Sequence, residues 1–147
     1  MKELTDEILS KRRDFLLEQS AKVKLDRYMG LEFLELSEGY ALGRFPLTEE
    51  VMNPYGFTHG GSVLSLADTV AGNAASMYGK FVTTVNCNLN FMRPGMDTQY
   101  IYCECNCLRE GVHLIVMEVK IKNDEGTVLD SGEFTYFKSD MGFPGEE

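Results

Sequence analysis

Residues 53–95 run N-P-Y-G-F-T-H-G-G, then S-V-L-S-L-A-D-T-V-A-G-N-A-A-S-M-Y, then G-K-F-V-T-T-V-N-C-N-L-N-F-M-R-P-G. The middle segment, Ser62 to Tyr78, has no proline and closes at Gly79, a residue type suited to a helix C-terminal cap. Wound at about 100° per residue, Val63, Leu64, Leu66, Ala67, Val70, Ala71, Ala74, Ala75, Met77 and Tyr78 share one broad arc. Opposite them stand Ser62, Ser65, Thr69, Asn73 and Ser76, where a surface helix would carry lysines and glutamates. The segment is therefore expected to be a helix that sees little water. After it, Phe81, Val85, Cys87, Leu89 and Phe91 alternate with Thr84, Asn86, Asn88 and Asn90. That pattern predicts a strand with one core face and places Thr84 on the other.

One charge interrupts the helix. Asp68 falls on the border between the two faces with Gly61, Ser65 and Gly72 beside it, so open space surrounds the carboxylate. A short acidic side chain competes for backbone hydrogen bonds within a helix, and burying it unpaired costs roughly several kcal/mol or forces its protonation. It is either a satisfied structural carboxylate or part of a ligand site. Upstream, His59-Gly60-Gly61 brings flexible backbone to the helix start, where unbonded N–H groups and the positive dipole end can polarise an oxygen that is gaining negative charge. Each neighbour also has an ordinary reading. Asn53 before Pro54 suits a turn, His59 can satisfy backbone groups, and Arg93-Pro94 can close a strand.

The three motifs N-P-x-G-x-x-H-G-G, S-L-A-D and a strand ending R-P-G occur here in order, at Asn53–Gly61, Ser65–Asp68 and Arg93–Gly95. In this the chain resembles the hotdog-fold acyl-CoA thioesterases, specifically the phenylacetate-pathway-like branch. The resemblance runs from about Leu25 to Phe137, opening with D-R-Y-M-G-L-E-F and the L-S-E-G-Y-A hairpin. It implies hydrolysis of an aliphatic or aryl acyl-CoA to free acid and CoA. Carried over by position, Asp68 would be general base or nucleophile, and the Gly60 N–H would polarise the thioester carbonyl. Asn53 would position water or substrate, and His59 would support the loop or touch the thioester region. Thr84 would hold the water, a role at odds with its outward placement. Gly61, Ser65 and Arg93 would border the substrate. No cofactor is implied, coenzyme A being part of the substrate. Two other readings stay open: a hotdog hydratase or dehydratase on acyl thioesters, and a non-catalytic acyl-CoA binding or sensing module.

The rest of the chain is consistent with one domain of 147 residues that is 44% hydrophobic. Ile8, Phe15 and Leu16 recur at helical spacing among mixed charges, predicting an amphipathic N-terminal helix within residues 1–24. Strands are expected at Leu31–Leu36, Tyr40–Leu47, Phe81–Met92, Thr98–Leu108, Val112–Lys122 and Val128–Lys138, with residues 139–147 as a polar tail. Short connections favour antiparallel pairing. The expected class is α+β: a hotdog fold, in which an antiparallel sheet of five to six strands wraps one central helix, with the N-terminal helix added. A single sheet leaves part of so apolar a helix uncovered. That deficit and the resemblance imply a homodimer or homotetramer with the active site shared between subunits.

A net charge of −9 argues against a nucleic-acid partner. No stretch approaches the ~20 apolar residues of a membrane span, and a cytoplasmic protein is expected. Cys103, Cys105 and Cys107 alternate along a strand, so successive thiols stand about 7 Å apart. They cannot easily converge on one ion, and buried free thiols are expected in place of a metal site.

Overall fold

The structure, a computed structural model, describes residues 5–146. In chain order its elements are α1 (Asp6–Ser20), α2 (Lys24–Met29), β1 (Glu32–Ser37), β2 (Tyr40–Pro46), a short 3-10 turn (Glu49–Val51), α3 (Gly60–Ser76), β3 (Lys80–Phe91), β4 (Tyr100–Glu110), β5 (Leu114–Lys122) and β6 (Val128–Gly142). The six strands form one sheet in the order β1-β2-β4-β5-β6-β3, and every neighbouring pair is antiparallel. β3 thus follows α3 directly yet lies at the edge opposite β1. Between those edges α3 packs across the sheet.

The strand period puts alternate residues against the helix. Ala41 and Phe45 of β2, Ile101, Cys103 and Cys105 of β4, Ile115, Met117, Val119 and Ile121 of β5, and Phe134 and Tyr136 of β6 are all buried. They meet Val63, Leu66, Ala67, Val70, Ala71 and Ala74, where the alanines let the helix lie close to the sheet. The thiols of Cys103 and Cys105 stay neutral, because burial pushes Cys105 up to about 12 and Cys103 well above its ordinary range. The central helix and its apolar arc are as expected, although α3 starts at Gly60, two residues before the predicted start.

At the N-terminus the expected single helix is broken in two. Thr5 caps α1 and the acidic Asp6 and Glu7 suit its first turn, but the chain turns after Ser20 and restarts as α2, which Gly30 ends at φ 73°. Asp26 holds that corner. Its Oδ2 accepts from Ser20 Oγ at 3.1 Å and its Oδ1 from Thr69 Oγ1 of α3 at 3.3 Å. The small polar residues in the C-terminal half of α3 therefore face the chain's own α1–α2 corner, with Thr69 bonded to it and a cavity between. Residues 1–4 of the predicted helical segment lie outside the described residues.

Nor does the C-terminus behave as a polar tail. β6 continues through Ser139 to Gly142, and Phe143 is buried against Phe15 and Phe81, with centroids 5.8 and 4.9 Å apart. Glu146 then receives Arg12 Nε and Nη2, at 2.7 to 3.0 Å, while Arg12 Nη1 donates to Met77 O at 2.9 Å. Aromatic burial and a bidentate ion pair pin the segment that its polar composition suggested was loose. Glu147 lies outside the described residues.

Candidate active site

The loop before α3 is built by Asn53. Its Oδ1 accepts from the backbone N–H of Tyr55 and of Phe57, each at 3.0 Å, and its own N–H donates to Phe57 O at 2.7 Å. These bonds fold residues 53–58 into a compact turn, closed by a bridge between Met52 and Thr58. The amide nitrogen of Asn53 keeps both hydrogens free of any acceptor among the described residues. His59 follows as the N-cap: its Nδ1 accepts from the Gly61 N–H at 2.9 Å, which assigns the ring proton to Nε2. The imidazole occupies the space a side chain at 61 would need, lying 3.1 Å from a Cβ built there. With Gly61 engaged, the Gly60 N–H is the helix-start donor left without an acceptor among the described residues.

Gly60 and Asn53 line one cavity of about 350 Å³, together with Phe57, Val63, Phe91, Arg93 and Asp130. Asp68 lines another, of about 430 Å³, bounded by Thr69, Asn73, Thr84 and Tyr136 and by Val23, Leu25 and Asp26 of the N-terminal segment. Eight helical steps separate Gly60 from Asp68, about 12 Å along the axis. One carbonyl cannot touch both within a single chain.

Asp68 is half-buried, and its two oxygens differ. Oδ1 accepts from Thr84 Oγ1 at 2.7 Å and lies 3.0 Å from Tyr136 Oη, which is equally close to the Asp68 carbonyl oxygen. Oδ2 has no donor among the described residues. Burial and the neighbouring Asp68 carboxylate hold the Tyr136 phenol far above its ordinary range, so it remains a donor.

Thr84 therefore faces the helix, not away from it as the alternation predicts. The register of β3 shifts between Thr84 and Asn86, where Val85 is the extra residue, and the side-chain parity reverses across that bulge. Thr84 lies opposite buried Tyr136, whereas Cys87, beyond the bulge, lies opposite buried Phe134. The open space expected at Gly72 is also taken, because the Tyr136 ring lies 3.4 Å from a Cβ built there. Tyr136 and Asp130 escaped the sequence reading. The one available signal was the aromatic pair Phe134 and Tyr136 on one face of a strand, facing a glycine in the helix.

Ser65 donates to Gly61 O at 2.9 Å, a bond internal to the helix. Arg93 is exposed at the rim of the Gly60 cavity, its backbone N–H bonded to Leu129 O at 2.9 Å. The expected residues thus separate into two groups: Asn53, His59, Gly60, Gly61 and Arg93 around the helix start, Asp68 and Thr84 farther along.

The model of the thioesterase superfamily matches residues 55–129, more than half of the chain. This chain belongs to the thioesterase superfamily. Its enzyme class is accordingly thioester hydrolase. Acyl-coenzyme A thioesterase PaaI of Escherichia coli (strain K12) is 26% identical over 97 residues, which span 66% of this chain and 69% of that protein. The structure of the E. coli PaaI protein from the phenylacetic acid degradation operon matches with a TM-score of 0.83, at 18% identity, over 92% of this chain and 96% of that one. A hypothetical thioesterase from Streptococcus pneumoniae TIGR4, solved with coenzyme A, matches with a TM-score of 0.72 at 24% identity, over 77% and 91% of the respective chains. The fold is the hotdog fold that the motifs implied, and the match to PaaI agrees with the phenylacetate-pathway-like branch.

Proposed function

We propose that the protein hydrolyses acyl-CoA to a free acid and CoA, at a site assembled from two copies of the chain. The observation that carries this is the pairing of an unbonded Gly60 N–H at a helix start with an Asp68 that has one oxygen held by hydroxyls and the other open. The thioester carbonyl oxygen accepts from Gly60 N–H, with the free amide N–H of Asn53 beside it. Asp68 of the second copy takes a proton from water as the water oxygen attacks the carbonyl carbon. The negative charge that collects on the carbonyl oxygen is met by donors already in place. Collapse of the tetrahedral intermediate then breaks the carbon–sulfur bond, and the proton passes from Asp68 to the departing sulfur. Direct attack by Asp68 Oδ2 would use the same placement.

Thr84 and Tyr136 orient the carboxylate. His59 acts through Gly61, holding its N–H so that Gly60 alone points outward. Arg93 supplies positive charge to the anionic coenzyme in a chain of net charge −9. Gly61 and Ser65 already use their polar groups within the helix start, so they contribute surface to the substrate. No cofactor takes part. No helix among the described residues is long and apolar enough to cross a membrane.

A panel of aliphatic, 3-hydroxy and aryl acyl-CoAs, with released thiol detected, tests this reading. Thiol release above the buffer rate from at least one substrate is the expected result. Interconversion of enoyl and hydroxyacyl thioesters without free thiol would make it a hydratase. CoA binding with no turnover at all would make it a sensing module.

A further inference from the structure

Asp130 is 4% exposed, and its Oδ1 has no hydrogen-bond partner among the described residues. A buried acceptor left unpaired is costly and uncommon. Burial pushes the carboxyl up to about 6, and the Met92 backbone N–H opposes this only in part. On β6, Asp130 stands in register with Phe91 of β3 and Ile121 of β5, so its side chain shares the face that meets the start of α3. There it lines the cavity that holds Gly60 and Asn53, among apolar Val63, Ile101 and Ile121, while Thr58 and Arg93 line the same cavity and neither bonds it among the described residues. Packing alone would favour leucine at this position. The cavity volume of 350 Å³ also exceeds what a thioester carbonyl needs, since about 150 Å³ accepts benzene.

We propose that Asp130 is a specificity-determining residue whose carboxyl hydrogen-bonds an N–H or O–H group carried by the thioester substrate within this cavity. The inference rests on the thioesterase reading of the same site. Rotation about Cβ–Cγ, which is soft for aspartate, presents either oxygen. Two parts of an acyl-CoA can bring the donor: a substituent on the acyl group, or the pantetheine amide near the sulfur.

The test compares wild type, Asp130→Asn and Asp130→Leu on three substrates: a plain acyl-CoA, the same acyl-CoA with a terminal hydroxyl, and the plain acyl thioester of a simple alkanethiol. The readout is the ratio of kcat/KM between substrates, with Tm measured at pH 7.5 on the same preparations. In Asp130→Leu a tenfold or greater loss confined to the hydroxylated substrate assigns the donor to the acyl group. A tenfold or greater loss on both CoA thioesters but not on the alkanethiol thioester assigns it to the pantetheine amide. In either case Tm holds or rises, because an unpaired buried carboxyl has gone. Equal changes on all three substrates, no change on any, or a kinetic loss that follows a falling Tm would overturn the proposal. Should wild type hydrolyse none of them, the thioesterase reading falls by itself. The non-hydrolysable CoA thioethers bearing the same two alkyl groups then decide for Asp130: a tenfold weaker Kd in Asp130→Leu for either thioether supports the contact, and equal Kd values for both overturn it.

Discussion

The two oxygens of Asp68 divide their duties. With Oδ1 fixed by Thr84 and Tyr136, Oδ2 is left as an oriented acceptor that can take a proton. Asp68→Asn keeps the volume and one carbonyl acceptor, so Tm should change little, while kcat should fall about 10²- to 10⁴-fold with the loss of the base. Kinetics and thermal melts on one preparation check this. Near-normal turnover in a folded variant would remove Asp68 from the chemistry. Thr84→Val deletes only the orienting hydroxyl at 2.7 Å and should cost roughly tenfold in kcat, whereas Thr84→Ser restores it. Asp130 makes a separate claim on stability. Its folded value of about 6 exceeds the ordinary 3.8, so the folded state holds the proton more tightly. The resulting stabilisation is complete below about pH 3.8 and is lost as pH rises through about 6, up to about 3 kcal/mol in all. Urea unfolding between pH 4 and 7 should show that loss in wild type, and Asp130→Asn should reduce it. Asp26, also raised by burial, contributes in the same direction in both proteins and cancels in the comparison.

At the scale of elements, the position of β3 governs the site, because this strand carries Thr84 to Asp68 and Phe91 to the Gly60 cavity. Its pairing with β6 is close at Gly132, where an added Cβ would fall on the backbone oxygen of Asn88. The obstacle is backbone, which no rotamer change can relieve. Gly132→Ala should therefore destabilise by about 3 kcal/mol or more, at the upper end for overpacking. Amides of β3 should also lose hydrogen-exchange protection before those of β4 and β5. Uniform protection with unchanged urea midpoint would show that β3 is held by other contacts. At the other end of the helix, Arg12 ties α1 to Met77 and to Glu146, both far away in sequence. Replacing Glu146 alone would leave the guanidinium buried with half its partners.

For the whole molecule, the deciding length is the run of α3 between Gly60 and Asp68, about 12 Å. It separates donor from acid within one chain, and the α1–α2 corner faces only the C-terminal half of the polar helix face. The exposed edge strand β3, with Val85 and Phe91 more than half exposed, offers a surface suited to a second copy. Sedimentation at micromolar concentration should give a dimer or larger species. A stable, active monomer would exclude a shared site. If Asp68→Asn and Asn53→Ala are each inactive, mixing them under conditions that exchange subunits should recover activity, because each mixed dimer has one site with both defects and one with neither. Exchange without recovery would place both residues in the same subunit's site.

The sequence by itself determined α3, its apolar arc and most strand spans, because helix and strand periods are local properties of side-chain order. It also exposed the helix-start half of the candidate site, where Asn53 folds the loop through Tyr55 and Phe57 and His59 caps Gly61, all within nine residues. Tertiary structure alone decided the rest. Thr84 reaches Asp68 because one extra residue in β3 reverses the parity of the strand, an event that alternation cannot register. Tyr136 reaches Asp68 across 68 residues, and Glu146 reaches Arg12 across 134, through strand pairing and aromatic packing that composition does not encode. Asp130 reads in sequence as an ordinary strand carboxylate. Only the closing of the sheet beneath the start of α3 buries it and leaves its oxygen without a partner.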